Sequence, residues 1–170
     1  MLQVMNRFQR SLPKPGRNEV YPAVRGGGDC RYNPELVEFL HEDHLRILGL
    51  LEEIELLLNK DRLASAGKLL SELRYLLKTH QVREDVRMVK YLEQRLLGDG
   101  ARLERLRLFR VERERVNQEI DAFLRKYQSI AIQPGLKGLF RQELGRLGDT
   151  LVAQFEREES ELHALYRDAG

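Results

Sequence analysis

The sequence has little of what disulfide-linked, cysteine-zinc or membrane proteins need. Its 170 residues include one cysteine, Cys30, which excludes an intramolecular disulfide and a zinc site built mainly from cysteines. No apolar run approaches the ~20 residues that cross a bilayer, and the N-terminus lacks the apolar segment of a signal peptide. The net charge is only +2, so no overall field points to nucleic acid. We therefore expect a cytoplasmic protein with no membrane or nucleic-acid partner.

Proline is also scarce over most of the chain. Beyond residue 30 the only prolines are Pro34 and Pro134, and the stretches between the breaks are rich in Leu, Glu, Arg and Lys. This composition favours helices. Asn33 is predicted to cap the first helix, because Pro34 fits the first helical turn that follows it.

Apolar residues recur at alternating spacings of three and four along four stretches, which predicts four amphipathic helices. Short breaks separate the stretches at Asp61, at 98–100 and at 129–135. Short connections place consecutive helices antiparallel. We therefore predict an all-α fold, with an up-down-up-down antiparallel four-helix bundle over residues 33–170.

Residues 1–32 differ from the rest of the chain. They carry an excess of basic residues, together with Pro13, Pro15, Pro22 and the glycine run at 26–28. We interpret them as a basic, largely irregular N-terminal arm. A solvated tail is the simpler interpretation, and a docking segment for an acidic partner is the alternative.

Polar side chains interrupt each apolar stripe at similar distances from the predicted turns. They are His44 on the first helix, His80 and Glu84 on the second, Glu112 on the third, and Gln154 and Glu158 on the fourth. The offsets from the turns differ by about two residues for His44 with His80, Glu84 with Glu112, and Glu112 with Gln154, which is about 3 Å of helix length. We therefore predict one polar layer inside the bundle. His80 and Glu84, at i and i+4, share a helix face and can reach one ion, and such ligands suit iron, manganese or zinc.

A metal-free interpretation stays open for the same residues. His44 can be a neutral core histidine that donates to Glu84 or Glu158, and His80 can lie at a partly wet end of the bundle. Charged side chains on helices are usually exposed, so a chance cluster of His and Glu is more often metal-free.

Two further assignments depend on how each helix is rotated. Glu112, Glu119 and Glu158 become solvated if the predicted stripes are rotated by one position. His163 is predicted to lie outside the layer, because five residues of α-helix turn it about 140° away from Glu158.

Three segments resemble the hemerythrin-like (HHE cation-binding) family. Residues 40–44, Leu-His-Glu-Asp-His, look like its first-helix motif. His80 and Glu84 fall where its second helix carries H-x-x-x-E, and 154–159 look like its last-helix motif, H-x-x-x-E-E. The resemblance covers residues 34–167. A complete site of this family implies a carboxylate-bridged di-iron centre that binds oxygen or nitric oxide.

Two histidines of the family pattern are missing here. Gln154 stands in place of the last-helix histidine, and the third helix has none. The resemblance therefore implies at most one ion of iron, zinc or manganese and argues against an intact di-iron centre. The ligands it implies are His44, His80, Glu84 and Glu158, with His41, Glu112 and Gln154 as supporting residues. We expect a sensory or regulatory protein and not an enzyme.

A second resemblance is to the bacterial sigma-D regulator family, helical bundles that bind the primary sigma factor. Residues 155–159 are similar to its F-x-x-E-D pattern, and Thr79-His80 with Glu84 match its second helix more loosely. It implies a structural hydrogen-bond network in place of a metal site, and a protein partner such as a sigma factor, which the arm helps to contact. The first-helix motif favours the hemerythrin-like family.

Overall fold

A computed structural model describes residues 31–170, so the predicted arm at 1–32 lies almost entirely outside the described part. The described residues form helices and no β-strand, as predicted. The α-helices are α1 Leu36–Asn59, α2 Leu63–Arg83, α3 Lys90–Arg95, α4 Gly100–Lys126, α5 Lys137–Arg157 and α6 His163–Asp168. Among these, no helix has the length and apolar character that a membrane span requires.

Two π-helical segments join helices end to end. Glu84–Val89 connects α2 to α3, and Glu158–Leu162 connects α5 to α6. The chain therefore builds four rods: α1, α2 with α3, α4, and α5 with α6. This is the four-helix bundle that the apolar stripes predict.

The rods begin and end largely where the sequence indicates. The Asn33 side chain accepts a hydrogen bond from the Glu35 amide at 3.0 Å, just before α1 begins. Asp61, with φ of 56°, makes the tight turn into α2 in the left-handed region that aspartate tolerates. Asp99 caps α4 by accepting the Arg102 amide at 3.0 Å.

The connection between α4 and α5 packs closely against α2. A Cβ placed on Gly67 would lie 3.0 Å from the Ala131 Cβ, which is closer than ordinary contact. Gly67 therefore permits this approach. Gly49 in α1 is different, because a Cβ there would meet nothing within 4 Å.

The apolar core consists of two clusters stacked along the bundle. The larger lies toward the α1–α2 turn and includes Ile47, Leu51, Ile54, Leu73, Leu77, Phe123, Tyr127, Phe140 and Phe155. The smaller lies toward the chain termini of the described part and includes Leu36, Leu40, Met88, Leu92, Leu106, Phe109, Leu162 and Tyr166. Each large apolar side chain buried in this way stabilises the fold by about 1.5–3 kcal/mol.

Candidate metal centre

A layer of buried polar side chains separates the two apolar clusters. The layer consists of Asp43, His44, His80, Glu84, Arg113, Gln154, Glu158 and His163, and all four rods contribute to it. It includes every buried polar or charged residue among residues 31–170. On each rod the layer lies between a residue of one cluster and a residue of the other.

His44 lies at the centre of the layer and is fully buried. Its Nδ1 is 2.9 Å from Glu159 Oε1, and its ring stacks on Phe155 with centroids 4.0 Å apart. Burial opposes ionisation of Glu159, but hydrogen bonds from His44 and His41 lower the pKa of Glu159. An ionised carboxylate only accepts, so His44 Nδ1 donates to Glu159, and Nε2 is the ring nitrogen that faces Glu158. This is the orientation that metal-binding histidines adopt.

His80 has a similar arrangement with a different carboxylate. Its Nδ1 faces Asp43 Oδ2 at 3.7 Å, and its Nε2 faces Glu158 Oε2 at 3.5 Å. Asp43 is in turn held by an ion pair with Arg83. Although burial opposes the charged form, the carboxylates of Asp43 and Glu158 raise the pKa of His80 to about 10. Without a metal ion, His80 is therefore an imidazolium that balances the charge of Glu158.

Glu158 carries the carboxylate that faces both histidines. Its Oε2 is 2.9 Å from His44 Nε2, and its Oε1 accepts a 2.8 Å hydrogen bond from Gln154. Burial disfavours the ionised form, but His44 and His80 hold the pKa of Glu158 well below its usual range. One ligand atom each from His44, His80 and Glu158 lies within 4.8 Å of the other two.

Unpaired polar atoms concentrate in this layer. Within the described residues, six buried side-chain atoms lack a hydrogen-bond partner: His44 Nε2, both ring nitrogens of His80, Glu84 Oε1, Glu158 Oε2 and His163 Nε2. Each such atom costs about 1–3 kcal/mol. Their concentration in one place is the pattern expected where a cation or ordered water is bound.

The spacing of the donors is compatible with a shared metal ion. Two donors about 2.1 Å from the same ion lie roughly 3.0 Å apart at right angles and roughly 3.4 Å apart in a tetrahedron. The two measured separations, 2.9 Å from His44 and 3.5 Å from His80 to the same Glu158 oxygen, fall close to these values. Two imidazoles and one carboxylate form a ligand set used for mononuclear iron and zinc.

Glu84 is in the layer but has a different partner. Arg113, from α4, pairs with Glu84 through one guanidinium nitrogen and with Asp85 through the other. Burial and the charge of Glu158 raise the pKa of Glu84 to about 7, against the opposing effect of Arg113. Glu84 is absent from the group of three ligand atoms formed by His44, His80 and Glu158.

The third rod corrects the prediction for Glu112. Glu112 is exposed and pairs with Arg157 on the outside of the bundle, whereas its neighbour Arg113 is buried. Glu119 is also exposed, and Ile120 takes the core position. In both cases the buried position is the next residue along α4, about 100° further round the helix axis. The apolar pattern of α4 did not distinguish the two neighbouring positions.

The prediction for His163 was wrong as well. His163 is buried, and its ring lies parallel to that of His44 with centroids 5.7 Å apart. The π segment Glu158–Leu162 explains the difference, because hydrogen bonds from i to i+5 bring residues five apart onto nearly the same face. Burial, followed by the nearby charge of His44, lowers the pKa of His163 to about 3, so this ring is neutral.

A second group of candidate ligands lies on the outer side of His44. It consists of His41, His44 and Glu159, and its two outer members are half-buried. Glu159 Oε1 contacts Nδ1 of both histidines, at 2.8 and 2.9 Å. Through these contacts the Glu159 carboxylate orients the His44 ring, and His41 helps to hold Glu159 in position.

The comparison with protein families agrees with this geometry. The model of the hemerythrin HHE cation binding domain matches residues 35–166, most of the chain. The chain belongs to this family. Neither the comparison with curated proteins nor the one with solved structures gives a match. The resemblance to the sigma-D regulators is not supported.

The third rod of this hemerythrin-like domain places no histidine or carboxylate among the buried residues of the layer. It offers the layer Arg113, whose guanidinium is always protonated and cannot ligate a metal. Gln154 donates a hydrogen bond to Glu158 Oε1 and so helps to orient that carboxylate.

Proposed function

We propose that this hemerythrin-like domain binds one transition-metal ion through His44, His80 and Glu158 and acts in sensing or regulation. The observation that carries the proposal is the convergence of these three buried donors from three different rods. They lie at ligand spacing, and each presents an atom with no hydrogen-bond partner among the described residues. Iron, zinc and manganese all accept this ligand set.

The residues around the three ligands support the same proposal. Glu159 fixes His44, Asp43 lies behind His80, and Gln154 holds the second oxygen of Glu158. Such partners orient metal ligands and tune their basicity. A bound ion would supply a Lewis-acidic position, since three protein ligands leave at least one coordination position for water or a small molecule.

A bound ion would also connect α1, α2 and the rod of α5 and α6. Metal occupancy would then change the stability of the whole bundle, which is one physical basis for a regulatory response. A regulatory role further predicts a protein partner. The partner and the cytoplasmic location stay predictions of the sequence.

The experiment is metal analysis of protein purified without a histidine tag. The protein is loaded with Co(II), with Zn(II), or anaerobically with Fe(II), dialysed, and its metal content measured by inductively coupled plasma mass spectrometry. We expect about one equivalent in the wild type. Glu158→Gln, which replaces a ligand, should lower the affinity at least tenfold. Glu112→Gln makes the same chemical change at an exposed position and should leave the affinity unchanged.

Less than about a tenth of an equivalent of any of these metals in the wild type would refute metal binding. The metal-free bundle that binds a protein partner would then become the better explanation. A visible spectrum with the strong absorption of an oxo-bridged di-iron centre would contradict the single ion.

A further inference from the structure

Arg113 is the only lysine or arginine buried among residues 31–170, and metal binding by His44, His80 and Glu158 does not use it. It lies on α4 between Phe109 of one apolar cluster and Ile120 of the other, at the level of the polar layer. A buried cation is costly unless it is paired, so its partners define its role.

Both partners of Arg113 belong to the first π segment. One guanidinium nitrogen contacts Glu84, which is fully buried, and another contacts Asp85, which is half-exposed. The flat guanidinium fork can hold two carboxylates at fixed positions, which a lysine ammonium cannot do with the same geometry. The Glu84 carboxylate is therefore fixed in its position by α4.

The charges explain why this pairing matters for a metal ion. Glu84 and Glu158 are two buried carboxylates in one layer, and each raises the cost of ionising its neighbour. His80 balances the charge of Glu158, whereas Arg113 balances that of Glu84. Glu84 Oε1 remains without a hydrogen-bond partner in the described residues and would be able to ligate a cation if Arg113 released the other oxygen.

We propose that Arg113 acts as a built-in cation that withholds Glu84 from the metal and so limits the centre to one ion with three protein ligands. The inference rests on the proposed function, since it concerns the ligands of that same ion. Replacing Arg113 by a neutral side chain should free Glu84. The carboxylate then either joins the existing ion as a fourth ligand or helps to hold a second ion.

The test is a double-mutant cycle on metal binding with Arg113→Met, Glu84→Gln and the combination. Co(II) is the probe, its affinity is measured by competition with a chelator, and its stoichiometry is measured by mass spectrometry. With Arg113 present, Glu84→Gln should leave the stoichiometry at one ion and should not raise the affinity, because Glu84 is not a ligand there. With Met at 113, the affinity should rise at least tenfold or a second equivalent should bind, and Glu84→Gln should remove that gain.

Arg110→Met is the matched control. Arg110 is also on α4 and pairs with Glu93 of α3, but that pair is exposed. The control should bind one equivalent with wild-type affinity. If Arg113→Met is unfolded by circular dichroism, Arg113→Gln takes its place, because it removes the positive charge and keeps a polar side chain at this level of the bundle.

The outcomes separate this inference from the proposed function. Wild-type protein that binds one ion, together with an Arg113 variant that gains nothing, overturns the role of Arg113 alone. A gain that persists after Glu84→Gln overturns it as well. If the wild type binds no metal but Arg113→Met binds one ion through Glu84, the proposed function is refuted. The same result supports the inference that Arg113 withholds Glu84 from a metal. If neither binds metal, both are wrong.

Discussion

Removing Arg113 should destabilise the metal-free protein far more than removing a neighbouring arginine from the same helix. Arg113→Met leaves Glu84 buried without its positive partner, at 0% exposure. Breaking one side of a buried ion pair in this way costs about 3–5 kcal/mol. Arg110→Met breaks a pair whose side chains are 47% and 42% exposed, and such pairs contribute about 0–1 kcal/mol. The difference of about 3 kcal/mol corresponds to a melting temperature lower by about 6–12 °C.

The assay is urea unfolding followed by circular dichroism, with a chelator present to exclude metal. Glu84→Gln in the Arg113→Met background should recover about 2 kcal/mol, because a neutral amide needs no counter-charge. The loss should also depend on pH. Glu84 has a folded pKa of about 7, raised by burial and by Glu158 above the ordinary 4.5. The folded state therefore binds more protons than the unfolded state, and the contribution of Glu84 to stability falls as the pH rises from 4.5 through 7.

Arg113 lowers the pKa of Glu84, so its removal raises that pKa further and deepens the penalty above neutral pH. We therefore expect Arg113→Met to lose more stability at pH 8 than at pH 6. Equal stability of Arg113→Met and Arg110→Met at pH 8 would refute the reasoning. A loss of stability in Arg113→Met that Glu84→Gln does not relieve would also refute the reasoning.

Two further predictions follow from the metal site and from the glycines. Metal at a hundredfold excess over its dissociation constant should stabilise the wild type by about 2.7 kcal/mol, or about 5–11 °C in melting temperature. A chelator should reverse the shift, and His44→Gln should abolish it; a shift that survives His44→Gln would contradict the ligand assignment. Gly49→Ala should stabilise α1 by up to about 1 kcal/mol, because alanine favours helix and the added methyl meets open space. Gly67→Ala should give no gain in urea unfolding, because its methyl crowds Ala131 at 3.0 Å; equal gains at both positions would contradict the close approach.

The bundle and the existence of a polar layer were accessible from the sequence, and the reason is periodicity. Apolar spacings of three and four define a helix face, and short breaks fix antiparallel order. His44 and His80 interrupt these faces at matching distances from the turn between their helices, and in the structure they meet Glu158 at one level. Helix rise and the positions of the turns set the height of a residue in the bundle, and both can be read from the sequence.

The direction of each polar side chain was decided only by the tertiary structure. On α4 a rotation of about 100° exchanges Glu112 for Arg113, and the packing of Phe109 and Ile120 selects the second. His163 enters the layer because the second π segment changes the residue spacing just before it. A π segment is a local departure from the helix that a repeating pattern does not reveal.

The set of residues at the candidate centre also depends on contacts between helices. The sequence placed Glu84 with His80, since both lie on one helix face, and that much is a property of spacing. Whether Glu84 faces a metal or an arginine depends on a contact between α4 and the first π segment, residues far apart in the chain. The sequence by itself therefore determined the four helices and the height of the buried polar layer. The tertiary structure decided which charges meet there, because helix rotation and long-range pairing are set by packing.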